Sequence, residues 1–373
     1  MNLLKLIKCY MLGVKMKDNI NFINLLNIYE NEISKNVKNK KKLVKFEINK
    51  VQNITNIINM LKDSEIGHEH YNIFLIYEPK CRLVMSLNIK DKIINHFVTR
   101  YVLEVKLTKY LDMRNVATRK NMGTDYGIRL ILKYLKKLKN NKFYILKIDI
   151  SKYFYSIDHE VLKELLIDKL DSYEYDLVEK IIDSTNKDYI NKTINKIKEE
   201  KRMEIPLYYT GKGLPIGNMT SQFLSIFYLY KLDHYIVHDL HLKYYVRYMD
   251  DFIIMDRDLE KLKKARDIII DKLKREYKLN VNTKKTKIVS CKEGFSFLGY
   301  LFKVIDNKLI IKLRRSNLEK IKRRIKQVRY LLDKNKISYY RAFCSVMTYS
   351  NCYKYTDNIR ILKLIDRYFY NEK

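Results

Sequence analysis

Apolar and polar residues alternate along this chain with two different periods, which predicts a mixture of strands and helices. Short runs rich in aromatic and β-branched residues predict strands on both sides of residue 250 and at 73–77, 82–87 and 143–150. Longer segments with apolar residues three and four positions apart predict helices at 91–111, 126–138, 158–170, 219–240 and 258–277. Strands that alternate with helices in this order predict an α+β fold, with helices beneath one sheet.

The two ends of the chain depart from this central pattern. Residues 17–70 are rich in Asn, Lys and Ile at helical spacing. They predict an N-terminal helical extension over 1–70, followed by a central domain over 71–305. A helical region over 306–373 contains a capping box at Ser316 and Glu319. Its apolar face is predicted to consist of Leu318, Ile321, Ile325, Val328 and Leu332.

One segment within the central domain has no clear pattern of either kind. Residues 184–204 are rich in Lys, Asn and Glu, which predicts an insertion or a mobile segment.

Acidic residues interrupt two of the predicted strands. Asp250 and Asp251 follow Tyr244–Met249 and precede Phe252–Met255, so they are expected at the tip of a hairpin. Asp149 lies within the apolar run Phe143–Ile150, where an acid is disfavoured. A solvated turn alone would explain Asp250 and Asp251, and a structural salt bridge alone would explain Asp149.

A shared metal site explains both sets of acids together. Adjacent carboxylates repel each other unless a cation neutralises them, and Mg²⁺ is commonly held by a few carboxylates and substrate phosphates. A strand that brings Asp149 beside Asp250 would let both hold two metal ions about 3.5–4 Å apart. The sequence therefore predicts a site for two Mg²⁺ ions, which Mn²⁺ can replace.

Five motifs in the central domain resemble the reverse transcriptase family, in the family's order over about residues 72–305. Asp149–His159 resembles the first palm motif, Gly213–Gln222 the motif that contacts template and nucleotide, and Tyr248–Asp251 the catalytic signature. Leu279–Thr286 and Phe295–Tyr300 are similar to the two remaining palm motifs. The resemblance implies a right-hand polymerase with fingers, a palm built on a split βαβ unit with an antiparallel sheet, and a short helical thumb.

The resemblance also implies roles for individual residues. Asp149, Asp250, Asp251 and the carbonyl of Ile150 would hold the metal ions, and Lys285 would protonate the departing pyrophosphate. The expected nucleotide-binding residues are Lys80, Arg82, Phe154, Ile216, Gly217 and Gln222, with Phe154 excluding a 2′-hydroxyl. The expected primer and template contacts are Arg247, Tyr248, Met249, Phe297, Leu298, Gly299, Tyr300, Arg323 and Arg324.

Two positions narrow the resemblance within the family. Ile216-Gly217 followed by Ser221-Gln222 is similar to the reverse transcriptases of diversity-generating retroelements. Group II intron enzymes usually have Gln-Gly and Ser-Pro there, and phage-defence enzymes diverge in the same motif. Because Ile216 replaces an amide that would contact the incoming nucleotide, low fidelity is expected. A defence enzyme making self-templated or untemplated DNA, a group II intron-like enzyme and an inactive nucleic-acid-binding scaffold stay open.

The overall charge favours a polyanionic partner. Lys and Arg total 75 against 43 acids, which gives a net charge of +32. Such a balance predicts salt-dependent binding of an RNA template and a DNA or RNA primer. The other expected partners are dNTPs and, for a diversity-generating retroelement, a small basic accessory protein.

Cysteines, histidines and apolar runs indicate no further class of protein. The five cysteines have no paired spacing, and no apolar stretch approaches the length of a membrane span, so a cytoplasmic protein is expected. The pairs His68/His70 and His238/His241 have no partner ligands nearby in the sequence and are expected to be surface histidines.

Overall fold

The computed structural model describes residues 16–68, 70–77, 81–349 and 354–356, together with residues 363, 365 and 367. Its helices up to residue 201 are α1 (Phe22–Ile28), α2 (Lys40–Ile48), α3 (Lys50–Lys62), α4 (Ile89–Val98), α5 (Glu104–Leu107), α6 (Thr124–Leu138), α7 (Tyr153–Ser156), α8 (His159–Leu166), α9 (Ser172–Ile182) and α10 (Asp188–Lys201). Those that follow are α11 (Met219–Tyr228), α12 (Tyr230–His234), α13 (Leu259–Glu276), α14 (Arg315–Asp333) and α15 (Tyr339–Met347).

The described strands form three antiparallel sheets. A hairpin consists of β1 (Asn72–Ile76) and β2 (Arg82–Ser86). The largest sheet has the order β4-β5-β3-β6 and contains β3 (Tyr144–Asp149), β4 (Tyr244–Tyr248), β5 (Asp251–Asp256) and β6 (Lys287–Ser290). The third consists of β7 (Phe295–Phe297), β8 (Tyr300–Ile305) and β9 (Lys308–Leu313). The predicted combination of helices with an antiparallel sheet is therefore confirmed.

The chain packs into two units that are interleaved in sequence. Among the described residues, the first unit comprises those up to 118, 150–239 and 270–281, and the second comprises 119–149, 240–269 and those from 282 onward. Packing therefore groups the chain differently from the linear boundaries at residues 70 and 305, which stay predictions.

In the first unit, the segment predicted as an insertion is an ordered helix. Helix α10 places Ile190 and Ile194, both fully buried, in a core cluster with Leu83 and Met85 of β2. The prediction of a mobile segment at 184–204 was wrong because a Lys-rich composition hid two apolar positions four residues apart. Burying each isoleucine contributes about 1.5–3 kcal/mol, so α10 supports the β1–β2 hairpin.

The long helix predicted at 219–240 is also interrupted in the first unit. Helix α11 ends at Tyr228, α12 covers Tyr230–His234, and a π-helical turn follows at Tyr235–Asp239. The interruption falls at Leu229, whose backbone leaves the helical region at φ −106° and ψ 16° while its side chain is fully buried.

In the second unit, the four-stranded sheet has an apolar interior. Phe252, Ile253, Ile254 and Met255 of β5 are all fully buried, so both faces of this strand are covered. The buried residues include Ile145, Leu146 and Ile148 of the neighbouring strand β3. This burial holds the two strands that carry the acids in a fixed register.

The first helix after the third sheet begins earlier than predicted. Helix α14 starts at Arg315, and the carbonyl of Arg314 accepts hydrogen bonds from the backbone of Asn317 and Leu318. Ser316 therefore lies inside the helix, and the predicted capping box was wrong. Of the predicted apolar face, Ile321, Ile325 and Val328 are buried, while Leu318 and Leu332 are half-buried.

Candidate active site

The hairpin between β4 and β5 presents Asp250 at a two-residue turn. The predicted hairpin is present, but Tyr248 pairs with Asp251, so Met249 and Asp250 form the connection and Asp251 begins β5. Met249 has a φ of 55°, a left-handed conformation that costs a residue other than glycine about 1–2 kcal/mol. The side chain of Arg247 donates a hydrogen bond from Nη1 to the carbonyl of Met249 at 3.0 Å, which helps to hold this turn.

Arg247 was predicted to contact primer or template, but its position favours a different role. Its side chain is fully buried and lies over the ring of Phe252, 5.8 Å from the centroid. The buried guanidinium supports the turn, and a contact of Arg247 with primer or template stays a prediction. Tyr248 and Met249 are half-buried beside Asp250, and their contact with primer or template stays a prediction.

The register of β3 against β5 brings the acids together. Asp149 is the direct partner of Asp251 in this antiparallel pair. Directly opposite side chains lie on the same face with Cβ atoms about 4.5–5.5 Å apart, so the two carboxylates lie close together. The predicted approach of Asp149 to the hairpin acids is present in the sheet itself.

Each of these two carboxylates is paired with a lysine. Lys285 Nζ lies 3.2 Å and 3.0 Å from the two carboxylate oxygens of Asp149. Lys147 Nζ lies 2.9 Å and 3.0 Å from those of Asp251, and also donates a hydrogen bond to the carbonyl of Ser296 at 2.9 Å. The ammonium groups of Lys285 and Lys147 therefore partly neutralise the negative charge of these two carboxylates.

The sequence prediction included Lys285 but missed Lys147. A sequence signal for Lys147 did exist, because it precedes Asp149 by two residues and so lies on the same face of β3. It pairs with Ile253, which makes Asp251 its diagonal neighbour and places the acid within reach of a long side chain.

Burial leaves Asp251 poorly stabilised as an anion. Desolvation raises the pKa of this carboxyl to about 6, the nearby Asp250 and Asp149 charges add to the rise, and Lys147 opposes it. Three carboxylates on one sheet edge form a set of hard oxygen ligands, which suits Mg²⁺. The residues present therefore fit a pair of divalent cations.

The loop that precedes α11 lies against the β1–β2 hairpin in the first unit. The backbone of Met85 donates a hydrogen bond to the carbonyl of Ile216 at 2.9 Å. Gly217 has a φ of 124°, and a Cβ there would lie 3.1 Å from the Met85 carbonyl oxygen. Only glycine fits without strain. Ile216 is half-buried, whereas Gly217 and Gln222 are exposed and accessible to a ligand.

Phe154 lies in α7, beside the same loop. Its carbonyl accepts a hydrogen bond from the backbone of Leu214 at 2.7 Å, and its ring is half-buried. The neighbouring Tyr153 is buried and donates its hydroxyl to the carbonyl of Ser225. Phe154 is therefore the more accessible of these two rings, as a sugar-contacting residue requires. Ile150 is buried, and its backbone pairs with Val281.

The remaining predicted contacts divide between exposed and buried positions. Arg82 at the start of β2 is exposed, and Lys80 lies outside the described residues. Phe297 and Tyr300 are buried and anchor the β7–β8 hairpin, whose half-buried turn residues Leu298 and Gly299 have φ values of 46° and 91°. On α14, Arg323 and Arg324 are both exposed.

The four-stranded antiparallel sheet thus brings together three carboxylates, with Asp149 on β3 opposite Asp251 on β5 and Asp250 in the adjacent turn. The sequence profile of the reverse transcriptase (RNA-dependent DNA polymerase) family matches residues 77–302. The chain belongs to this family, which generally uses divalent metal ions.

Solved structures also match this chain. A solved structure of apo telomerase from Candida tropicalis, truncated from its C-terminal domain, matches with a TM-score of 0.45 and 17% identity. The match covers 69% of this chain and 59% of the telomerase chain. No curated protein matches the sequence. Among the helices in the described ranges, none is long and apolar enough to cross a membrane.

Proposed function

We propose that this chain is an RNA-directed DNA polymerase whose catalytic centre is formed by Asp149, Asp250 and Asp251. The observation that carries the proposal is the β3–β5 register, which pairs Asp149 with Asp251 next to the turn at Asp250. The proposed architecture is a right hand, with the β1–β2 hairpin in the fingers, the four-stranded sheet in the palm and α14 in the thumb.

The acids have distinct parts in the proposed mechanism. Asp149, Asp250 and the Ile150 carbonyl would hold two Mg²⁺ ions, and Asp251 supports the site through its charge. When bound, the ions supply Lewis-acid activation of the primer 3′-hydroxyl and neutralise charge on the leaving group. The primer 3′-hydroxyl gives its proton to water, its oxygen attacks the α-phosphorus in line, and the bond from that phosphorus to pyrophosphate breaks.

The other side chains bind and orient the substrates. Exposed Arg82 offers a planar guanidinium for bidentate contact with the triphosphate, and Lys80 is proposed as its partner. Lys285 has a half-exposed side chain, and on leaving Asp149 it donates a proton to pyrophosphate. Arg323 and Arg324 bind the phosphate backbone of the primer–template duplex.

The test is extension of a DNA primer on an RNA template by the purified Asp250→Asn variant. We expect at least a ~100-fold loss of dNTP incorporation, because second-sphere changes alone cost metal sites about 10–100-fold. Asp256→Asn, at the other end of β5, is the matched control and should extend primers normally. Near wild-type extension by Asp250→Asn would overturn the assignment.

Within the family, we propose an error-prone enzyme of the diversity-generating retroelement type, working with a small basic accessory protein. Ile216 supports this proposal, since its half-buried side chain next to exposed Gly217 can only pack against a base pair. A phage-defence enzyme that makes self-templated or untemplated DNA is the second candidate, because it also fits a divergent motif. A polymerase that incorporates dNTPs without added template would favour that candidate.

A further inference from the structure

A second cluster of potential metal ligands lies in the first unit and includes none of the catalytic acids. The ligand atoms of Asp112, His234 and His238 all lie within 4.8 Å of one another. Asp112 follows the 3₁₀ turn Thr108–Tyr110, His234 ends α12, and His238 lies in the π-helical turn that continues it. The fold therefore supplies the partner ligands that the sequence around His238 lacked.

The two histidines project from the same side of a continuous helical segment. They are four positions apart in the sequence. Their rings are stacked, with centroids 5.8 Å apart and an interplanar angle of 16°. Side chains at this spacing are neighbours on a helix surface, which is the usual way for one helix to supply two imidazole ligands. His238 is exposed and His234 is half-buried, so solvent reaches the cluster.

Hydrogen bonds already orient two of the three ligands. His234 Nε2 lies 2.7 Å from the carbonyl oxygen of Tyr110. Since a carbonyl only accepts, Nε2 carries the hydrogen and Nδ1 keeps its lone pair for a cation. Metal-ligating histidines almost always donate their second nitrogen in this way, often to a backbone carbonyl.

The carboxylate of Asp112 is fixed by Arg114. The Arg114 backbone N–H lies 2.7 Å from Oδ1, and its Nη1 lies 3.2 Å from Oδ1 and 3.1 Å from Oδ2. Ligating carboxylates are typically held by such outer hydrogen bonds.

The donor set distinguishes the class of cation. Two imidazoles and one carboxylate suit Zn²⁺, whereas Mg²⁺ prefers oxygen ligands alone. Tetrahedral bonds of about 2.0–2.2 Å require ligand atoms about 3.3–3.5 Å apart, so separations of up to 4.8 Å close through small side-chain rotations. We propose that Asp112, His234 and His238 bind one Zn²⁺ ion, with water as the fourth ligand, and that this ion joins the segment after Tyr110 to α12.

The test uses the full chain without an affinity tag, freed of metal by a chelator and titrated with Co²⁺, a spectroscopic substitute for Zn²⁺. We expect one equivalent to give the intense visible absorption of a tetrahedral site, and Zn²⁺ to displace it. His238→Ala should weaken binding at least ~10-fold, since even second-sphere losses cost about that much. Asp112→Asn should weaken it as well.

His241→Ala is the matched control, because His241 is an exposed histidine three residues beyond His238 and outside the cluster. Zn²⁺ should raise the melting temperature of the wild type and of His241→Ala, but not that of His238→Ala. Equal binding by the His238 and His241 variants, or no tetrahedral absorption in the wild type, would overturn the proposal. The His238 variant should keep Mg²⁺-dependent primer extension, so the zinc site and the proposed polymerase function can fail separately.

Discussion

Replacing Asp251 with asparagine should stabilise the metal-free protein while impairing catalysis. Burial raises the pKa of this carboxyl from 3.8 to about 6. Asparagine has the shape of the protonated carboxyl, so the variant avoids the cost of a buried charge. At ~1.4 kcal/mol for each pH unit, this rise corresponds to about 3 kcal/mol of stability near neutral pH.

The pH dependence follows from the direction of this pKa change. Below the unfolded value of 3.8 the carboxyl is protonated in both states, so wild type and Asp251→Asn should be equally stable. As the pH rises from about 4 to about 6, the unfolded chain loses its proton first and the wild type loses stability relative to the variant. Above about pH 6 the difference should stay constant.

Chelator-treated wild type and variant should be unfolded by urea at a series of pH values, with thermal melts in parallel. Near pH 7.5 we expect a melting temperature higher by on the order of 5 °C in the variant. Mg²⁺ should reduce the difference in melting temperature between the variant and the wild type, since it favours the ionised carboxyl. Asp256→Asn, which loses an ion pair with Lys261 at 3.4 Å, should show no gain. The reasoning would be refuted if Asp251→Asn were no more stable than the wild type. It would also be refuted if the difference in stability between the two did not vary with pH.

The remaining predictions concern the substrate. Phe154→Val should admit rNTPs by opening space at the 2′ position, and single-nucleotide extension with an unchanged dNTP/rNTP preference would identify Phe154 as a structural residue. The wild type should misincorporate frequently opposite template adenine, and Ile216→Gln should reduce these errors, because an amide can hydrogen-bond the incoming nucleotide. Deep sequencing of cDNA made by the wild type and by Ile216→Gln on one RNA measures these error rates. A uniformly low error rate in the wild type would favour the phage-defence candidate.

The sequence predicted the strands of the site better than their surroundings. Continuous runs of aromatic and β-branched residues located β3 and the β4–β5 hairpin, because buried strands leave a strong apolar signal around Asp149 and Asp250. The burial of Arg247 could not be predicted in this way, since a cation next to a catalytic motif indicates a ligand contact until burial is known. The pairing of Lys147 with Asp251 depends on strand register, which the sequence does not specify directly.

Longer-range features could not be predicted for similar physical reasons. Helix α10 was missed because two buried isoleucines among many charged residues produce a weak periodic signal. Asp112 lies more than a hundred positions before His234 and His238, so the local spacing of the two histidines does not reveal the third member of the cluster. The interleaving of the two packed units is likewise a property of the folded chain alone.

The strand order β4-β5-β3-β6 has a consequence for synthesis on the ribosome. Strand β3 is an inner strand of the sheet, yet both of its partners lie about a hundred residues or more further along the chain. At about 5–20 residues per second, both edges of this apolar strand stay unpaired for several seconds or longer after they emerge. The nascent chain therefore carries an open template for intermolecular pairing during that interval, and shielding by chaperones would matter most there.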